Sequence, residues 1–449
     1  MGTIPQQKKK YLDELSITIL SKLKKENVET QSIDNGIYDE SVMVIPIENI
    51  KSKYEYHYDE NDEIDSVIYY KDNWKIEFSG KIWNEISKCI NDLYKLKWIK
   101  NCIAFQTLLK IVLSWFFDVK ERNPICVSFS QYVEDKIKSK QKKYIIYFPI
   151  PYVIAKTSFK IANVSFDLIS DNELDKIMLS AKDKDFYHNK MFASISLSGE
   201  KEHIVKIAHE QCSLAVDALK ICSRLSFDSS FSSVCFDLEK NIRLHELNRC
   251  IIKDTSSQES ISEELNVGIH SWSIDEKFVK DLEEHHINLY SEFINRLMDQ
   301  EASELELVLI SSIKTYSKSL SVQNKYEKIV LLCSIMDSLM LKDNEVSIKE
   351  TLRKYIPIIV TNDFKKRDQI KKHLSNMYEI RSQYIHHMCE KKLLVKDVYY
   401  LYGIVFSLLL VLINNSVRYK SMKEIIGMID KRIEDVIIDE SELNLFIKV

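Results

Sequence analysis

The chain has 449 residues, more than one ordinary compact core accommodates, so two or three domains are expected. Its 45% hydrophobic and 29% charged content are those of a soluble globular protein, and a net charge of −4 excludes a generally basic nucleic-acid coat. Only 7 Gly and 6 Pro occur, and neither G-x-x-x-x-G-K-[ST] nor G-x-G-x-x-G is present, which sets aside P-loop and Rossmann nucleotide chemistry in their usual forms.

In chain order, Tyr11 to Lys25 has the spacing of an amphipathic helix. Val42 to Ile47, Tyr54 to Tyr58, Ser66 to Tyr70 and Trp74 to Phe78 cluster β-formers around polar turns and read as strands. Lys81 to Leu96 and Ile103 to Phe117 return to a helical period. These make a first α+β region, residues 1–139. The lysine run Lys136, Lys138, Lys140, Lys142 and Lys143 lies between this region and the next and reads as an exposed linker, with an RNA role as the alternative. A second α+β region spans 140–254. Tyr144 to Ile154, Lys160 to Ile169 and Phe192 to Leu197 are strand-like, Glu202 to Arg224 is a long helix, and Ser232 to Glu239 and Asn241 to Ile252 can close a sheet. The polar stretch from Asp254 to Glu263 is the best linker candidate. Residues 264–449 read as all-helical, with helices at Glu301 to Leu320, Tyr326 to Leu341, Ile348 to Ile359, Asp363 to Glu390 and Val398 to Asn414. The overall expectation is α+β in front and all-α behind.

The nine cysteines are scattered without a C-x-x-C pair, and the N-terminus has no apolar signal core. Both point to reduced thiols in a cytoplasmic protein. The longest apolar run, Leu401 to Ile413, is short for a bilayer span and fits a buried core helix.

The stretch Tyr378-Glu379-Ile380-Arg381-Ser382-Gln383-Tyr384-Ile385-His386 carries the most chemistry. A guanidinium is a permanent planar phosphate ligand, and an imidazole moves protons near neutral pH. Together Arg381 and His386 can hold an RNA phosphate and shuttle the proton of its neighbouring 2′-OH without a metal. On a helix, residues five apart stand about 140° apart, whereas Tyr378, Ser382 and His386 share one face. Either the arginine wraps around its helix or two copies of the helix face each other across a twofold axis. His387 faces another way than His386. No histidine, cysteine or carboxylate spacing near the motif suits a metal, and no cofactor motif is present. Lys365, Lys366, Arg367, Lys371 and Lys372 precede the motif, and Lys391, Lys392 and Lys396 follow it, an arrangement that favours a positive mouth for RNA.

The stretch resembles the R-x4-H motif of HEPN domains, in the Y-x-I-R-S-x-x-x-H form of Apea-like HEPN proteins. Flanking helices from about Ser273 to Val417 are similar as well. Two positions depart from the family form: His387 stands where Gly is usual after the histidine, and Asp337 where the earlier helix often has Glu. The resemblance implies a helical bundle acting as a homodimer through its C-terminal helices. It implies a metal-independent endoribonuclease of anti-phage abortive infection, cutting tRNA or other host RNA upon a phage-derived trigger or regulatory partner. Arg381 and His386 would be catalytic, with Tyr378, Ser382 and Asp337 supporting. A catalytically silent HEPN module acting with a partner protein is the alternative. A helical scaffold in which the Arg–His spacing is chance is a third.

Overall fold

The computed structural model describes residues 2–24, 26–27, 53–61, 63–71, 74–121, 127–150, 153–155, 157–169, 191–222, 249–253, 260–264, 272–285, 287–299, 302–340 and 348–436. Within them the chain is a mixed α+β protein. It divides into two compact units, Met1–Tyr144 with Leu197–Ile207, and Ile145–Ser196 with Ala208–Val449. This differs from the three regions expected from sequence. The second α+β stretch joins the helical region, while residues 197–207 return to the first unit. The reason is local: the Glu200 amide donates to the Cys102 carbonyl at 2.7 Å, and the Glu200 carboxylate accepts from the Ala104 amide at 3.1 Å and from Thr107 Oγ1 at 2.7 Å.

In the first unit, α1 (Gln6–Lys22) buries Leu12, Ser16 and Ile19 along one stripe. The strands β1 (Glu26–Asn27), β2 (Lys53–Tyr58), β3 (Ile64–Lys71) and β4 (Trp74–Phe78) form an antiparallel sheet in the order β1-β4-β3-β2. Their register sets Tyr54, Tyr56, Val67, Tyr69, Ile76 and Phe78 on one face, where the helices cover them. α2 (Gly80–Tyr94) is pinned to that sheet by Trp83 Nε1, which donates to the Ile64 carbonyl at 2.6 Å. A short α3 (Lys97–Cys102) fills the gap between two expected helices, and α4 (Phe105–Glu121) brings Phe117 edge-on to Tyr69 at 4.3 Å.

Sequence reading missed α5 (Phe129–Lys140). Its buried Phe129, Val133 and Ile137 recur every four residues, and Ser128 caps its start. The lysine run expected as a linker therefore lies on the second half of α5 and the first residues of β5 (Lys142–Ile150). That is a correction, and its cause is the apolar stripe hidden among the lysines.

The second unit holds a four-stranded sheet in the order β5-β9-β8-β7, from β7 (Phe159–Ile161), β8 (Val164–Leu168) and β9 (Met191–Gly199). Pro149 is tolerated in β5 because β5 is an edge strand. The single strand expected over Lys160 to Ile169 is a tight hairpin instead. Ala162 takes φ +54°, and its amide donates to Ser291 Oγ at 3.0 Å. β6 (Val153–Ala155) pairs in parallel with β12 (Trp272–Ile274). β10 (Arg249–Lys253) and β11 (Ser260–Glu264) form an antiparallel pair with Ile252 opposite Ile261. The second half of the expected linker 254–263 is thus a strand. The expected strands at 42–47 and 232–239 lie outside the described residues.

The helices are α6 (Lys201–Cys222), α7 (Glu276–His285), α8 (Ile287–Asp299), α9 (Glu304–Ser321), α10 (Lys325–Met340), α11 (Ile348–Val360), α12 (Phe364–His387), α13 (Val395–Asn415) and α14 (Met422–Val436). α7, α8 and α14 were not expected as separate helices. α9 opens with a capping box between Ser303 and Glu306. α8 through α12 pack against α13, which is apolar nearly all round, as a central helix must be. By length and composition alone α13 passes for a membrane span, yet 61% of its apolar window is buried inside the bundle.

Candidate functional site

The candidate site is built on α12 and the two helices that flank it. Asp363 caps α12, accepting the amides of Lys365 at 2.8 Å and Lys366 at 3.2 Å. The buried positions Arg367, Ile370, Leu374, Met377 and Ile380 run down one side at steps of three and four. Arg381 continues this row, four after Met377, so it leaves the helix toward the bundle rather than toward solvent.

There it meets Asp337 of α10. Arg381 Nη2 stands 3.7 Å from Asp337 Oδ2, and the two side chains remain 27% and 16% exposed. The guanidinium also lies 5.7 Å from the centre of the Tyr378 ring, one turn back on its own helix. At 3.7 Å the pair is an ion pair but not a good hydrogen bond. Asp337 Oδ1, Arg381 Nε and the Tyr378 hydroxyl are all buried without a hydrogen-bond partner among the described residues. Burial pushes the Asp337 carboxyl above its ordinary range, with Arg381 opposing. One turn before Asp337, burial also pushes the Cys333 thiol up, helped by the nearby carboxylate. The cluster is a half-buried cation, a carboxylate reluctant to ionise and a phenol, with polar valences in reserve.

His386 is elsewhere on the helix. It and His387 are exposed on the last turn, about 140° round from Arg381 in the case of His386. One copy of α12 therefore does not bring Arg381 and His386 to the same point. Ser382 is half-buried beside the motif.

The end of α12 is held in a specific way. Met388 takes the left-handed conformation, φ +48°, and its amide donates to the Tyr384 carbonyl at 3.1 Å. The connection into α13 is then clamped to α10. The Tyr326 hydroxyl donates to the Lys391 carbonyl at 2.6 Å, and Lys325 Nζ to the Leu393 carbonyl at 3.2 Å. The Tyr326 ring stacks on Tyr384 at 5.3 Å, with the planes 14° apart. Lys391 Nζ reaches back to Glu379 at 2.5 Å. Sequence reading missed Tyr326, Tyr384 and Lys325, because a clamp between distant segments leaves no periodic trace.

The lysines divide into two sets. Lys391 and Lys392 adjoin the motif. Lys365, Lys366, Lys371 and Lys372 lie on the first half of α12, about 14 to 24 Å along the axis from Arg381. Lys372 is paired with Asp368 at 2.7 Å, and Arg367 is buried with its Nε donating to the Thr361 carbonyl at 2.8 Å. Arg367 is thus a structural residue rather than part of a basic mouth.

No family model, curated protein or solved structure matches the chain.

Proposed function

We propose that residues 264–449 are a HEPN-type helical domain and that the protein is a metal-independent endoribonuclease, cutting tRNA or other host RNA in the cytosol as an anti-phage abortive-infection toxin. The observation that carries this reading is the setting of Arg381. Its guanidinium is partly exposed and is held by one long ion pair and one aromatic ring rather than by a close hydrogen bond, so its accessible edge is what an incoming phosphate would meet. His386 stands free in solvent on the same helix, as a group must that exchanges protons with substrate.

In the proposed reaction His386 removes the proton of the ribose 2′-OH, whose oxygen attacks the adjacent phosphorus. The 5′-oxygen leaves and takes a proton from a protonated His386 of the second copy. Arg381 neutralises charge building on the phosphoryl oxygens, a term worth several kcal/mol when the donor is already in place. The products are a 2′,3′-cyclic phosphate and a 5′-hydroxyl. Two copies of α12 facing each other supply the Arg381–His386 pairing that one copy does not make. Ile385, Met388, Leu394 and Val395 are exposed apolar side chains around the end of α12, a surface that a second copy would cover.

A second reading has its own observation. The contact between Arg381 and Asp337 already occupies the arginine, which suits a catalytically silent module that acts with a partner protein. Incubation of the purified protein with total tRNA in EDTA separates the two. The nuclease reading expects cutting with cyclic-phosphate ends, lost in both Arg381→Ala and His386→Ala and little changed in His387→Ala. Undiminished cutting by a folded His386→Ala protein would refute it, as would activity that disappears in EDTA and returns with Mg²⁺.

A further inference from the structure

We propose that the first unit carries a second RNA-binding surface, separate from the α12 motif, in which lysines from three distant chain segments grip the phosphate backbone. The surface is organised around buried Cys102 at the end of α3. Gln141 Nε2 donates to the Cys102 thiol at 2.8 Å, and the thiol lies 3.7 Å from the Ser198 carbonyl. The Cys102 carbonyl accepts the Glu200 amide, and His203 Nε2 stands 2.8 Å from the Lys100 carbonyl. Gly199 makes this approach possible: a Cβ there would meet the Cys102 carbonyl oxygen at 2.4 Å. These contacts fasten the end of α3, the turn from α5 into β5 and the start of α6 side by side.

Each of those segments carries exposed lysine. Lys100 lies on α3, Lys140 and Lys142 flank Gln141, and Lys201 opens α6. The half-buried carboxylate of Glu200 is committed to the start of α4, leaving Glu202 as the exposed acid of these segments. Lys136 and Lys138 do not belong to the group. One lies over the Tyr132 ring, and the other is paired with buried Glu134. Gathering four cations in a chain of net charge −4 is unfavourable unless something anionic uses them. A membrane surface would want a continuous apolar face as well, and along these segments the exposed large hydrophobics are two isolated side chains, Ile145 and Val205. A flexible phosphate backbone needs only spaced cations.

The choice of RNA among polyanions rests on the proposed nuclease function, but the test does not require cleavage. A labelled single-stranded RNA is titrated by fluorescence anisotropy with full-length His386→Ala protein over a range of KCl concentrations. Replacing Lys100, Lys140 and Lys201 by Gln together should weaken binding about tenfold to a hundredfold and lower the slope of log affinity against log salt by about 2, since each single-strand phosphate contact contributes about 0.7. If the triple variant fails to fold, Lys140→Gln alone should lower the slope by about 0.7. An unchanged slope in the folded variant overturns the proposal. So does binding to phosphatidylserine vesicles without binding to RNA, and so does the absence of any RNA binding. If the wild-type protein never cuts RNA yet passes this test, the surface stands and the nuclease reading falls.

Discussion

Arg381 and Asp337 set a conflict between stability and function at the level of single side chains. Burial raises the Asp337 carboxyl pKa. A carboxyl shifted upward favours folding below its ordinary value of 3.8 and loses that contribution as pH rises through the folded value. Once ionised, Asp337 therefore works against folding, Arg381 notwithstanding. Asp337→Asn is expected to leave the thermal midpoint unchanged or raised, while kcat for RNA cleavage falls about tenfold because the arginine loses its aim. A fall in both midpoint and activity would mean the carboxylate is purely structural. Met388 shows a second conflict. It is 82% exposed and holds a left-handed backbone that suits glycine far better. Met388→Gly should stabilise the protein by about 0.5–1 kcal/mol in urea denaturation, the relieved strain outweighing the entropy glycine adds to the unfolded chain. Destabilisation would show that the Met388 side chain is held by packing.

At the level of elements, the position of the motif depends on how α12 seats against α13. His373 lies at this seam, edge-on to Tyr400 at 4.7 Å, with Nε2 buried and without a partner among the described residues. Burial depresses its pKa below the usual 6.5, and Asp397 at the start of α13 partly opposes this. A histidine depressed in the folded state leaves stability untouched above pH 6.5 and subtracts from it as pH falls toward the folded value, since the unfolded chain binds the proton more readily. Wild-type stability should therefore drop as pH falls below 6.5, and His373→Leu should flatten part of that drop. Parallel curves for both proteins would place the acid sensitivity elsewhere. The same seam holds the loop clamped by Tyr326, so acid should also raise hydrogen exchange across residues 388–394.

On the scale of the whole molecule, the reaction proposed for the motif needs more than one chain. Arg381 faces the bundle and His386 faces solvent, so a complete set of groups requires a partner whose α12 runs alongside. The exposed apolar residues at the end of α12, among them Val395 at 56%, mark where it would sit. Light scattering is expected to find a homodimer, and replacing Ile385 and Met388 together with Glu should yield an inactive monomer. Mixing Arg381→Ala with His386→Ala protein should restore part of the activity, because mixed dimers can reassemble one intact set. A wild-type monomer that cuts RNA would rule out the shared geometry.

The amino-acid sequence by itself determined the α+β character, most of the helices and strands and the buried nature of α13, and it singled out the stretch on which the nuclease proposal rests. These are legible because helical and strand periodicity, and residue type, are local properties. It did not determine α5, whose apolar stripe is diluted by lysines, the β7–β8 hairpin, whose turn at Ala162 and Asn163 lacks the usual glycine signal, or β11, which falls in a polar stretch read as a linker. Only the tertiary structure decided that residues 197–207 join the first unit, that Asp337 meets Arg381 while His386 does not, that Tyr326 clamps the loop after the motif, and that three lysine-bearing segments converge on Cys102. Each depends on which distant segments pack together. That choice comes from burying many apolar faces at once, and no single stretch of sequence carries it.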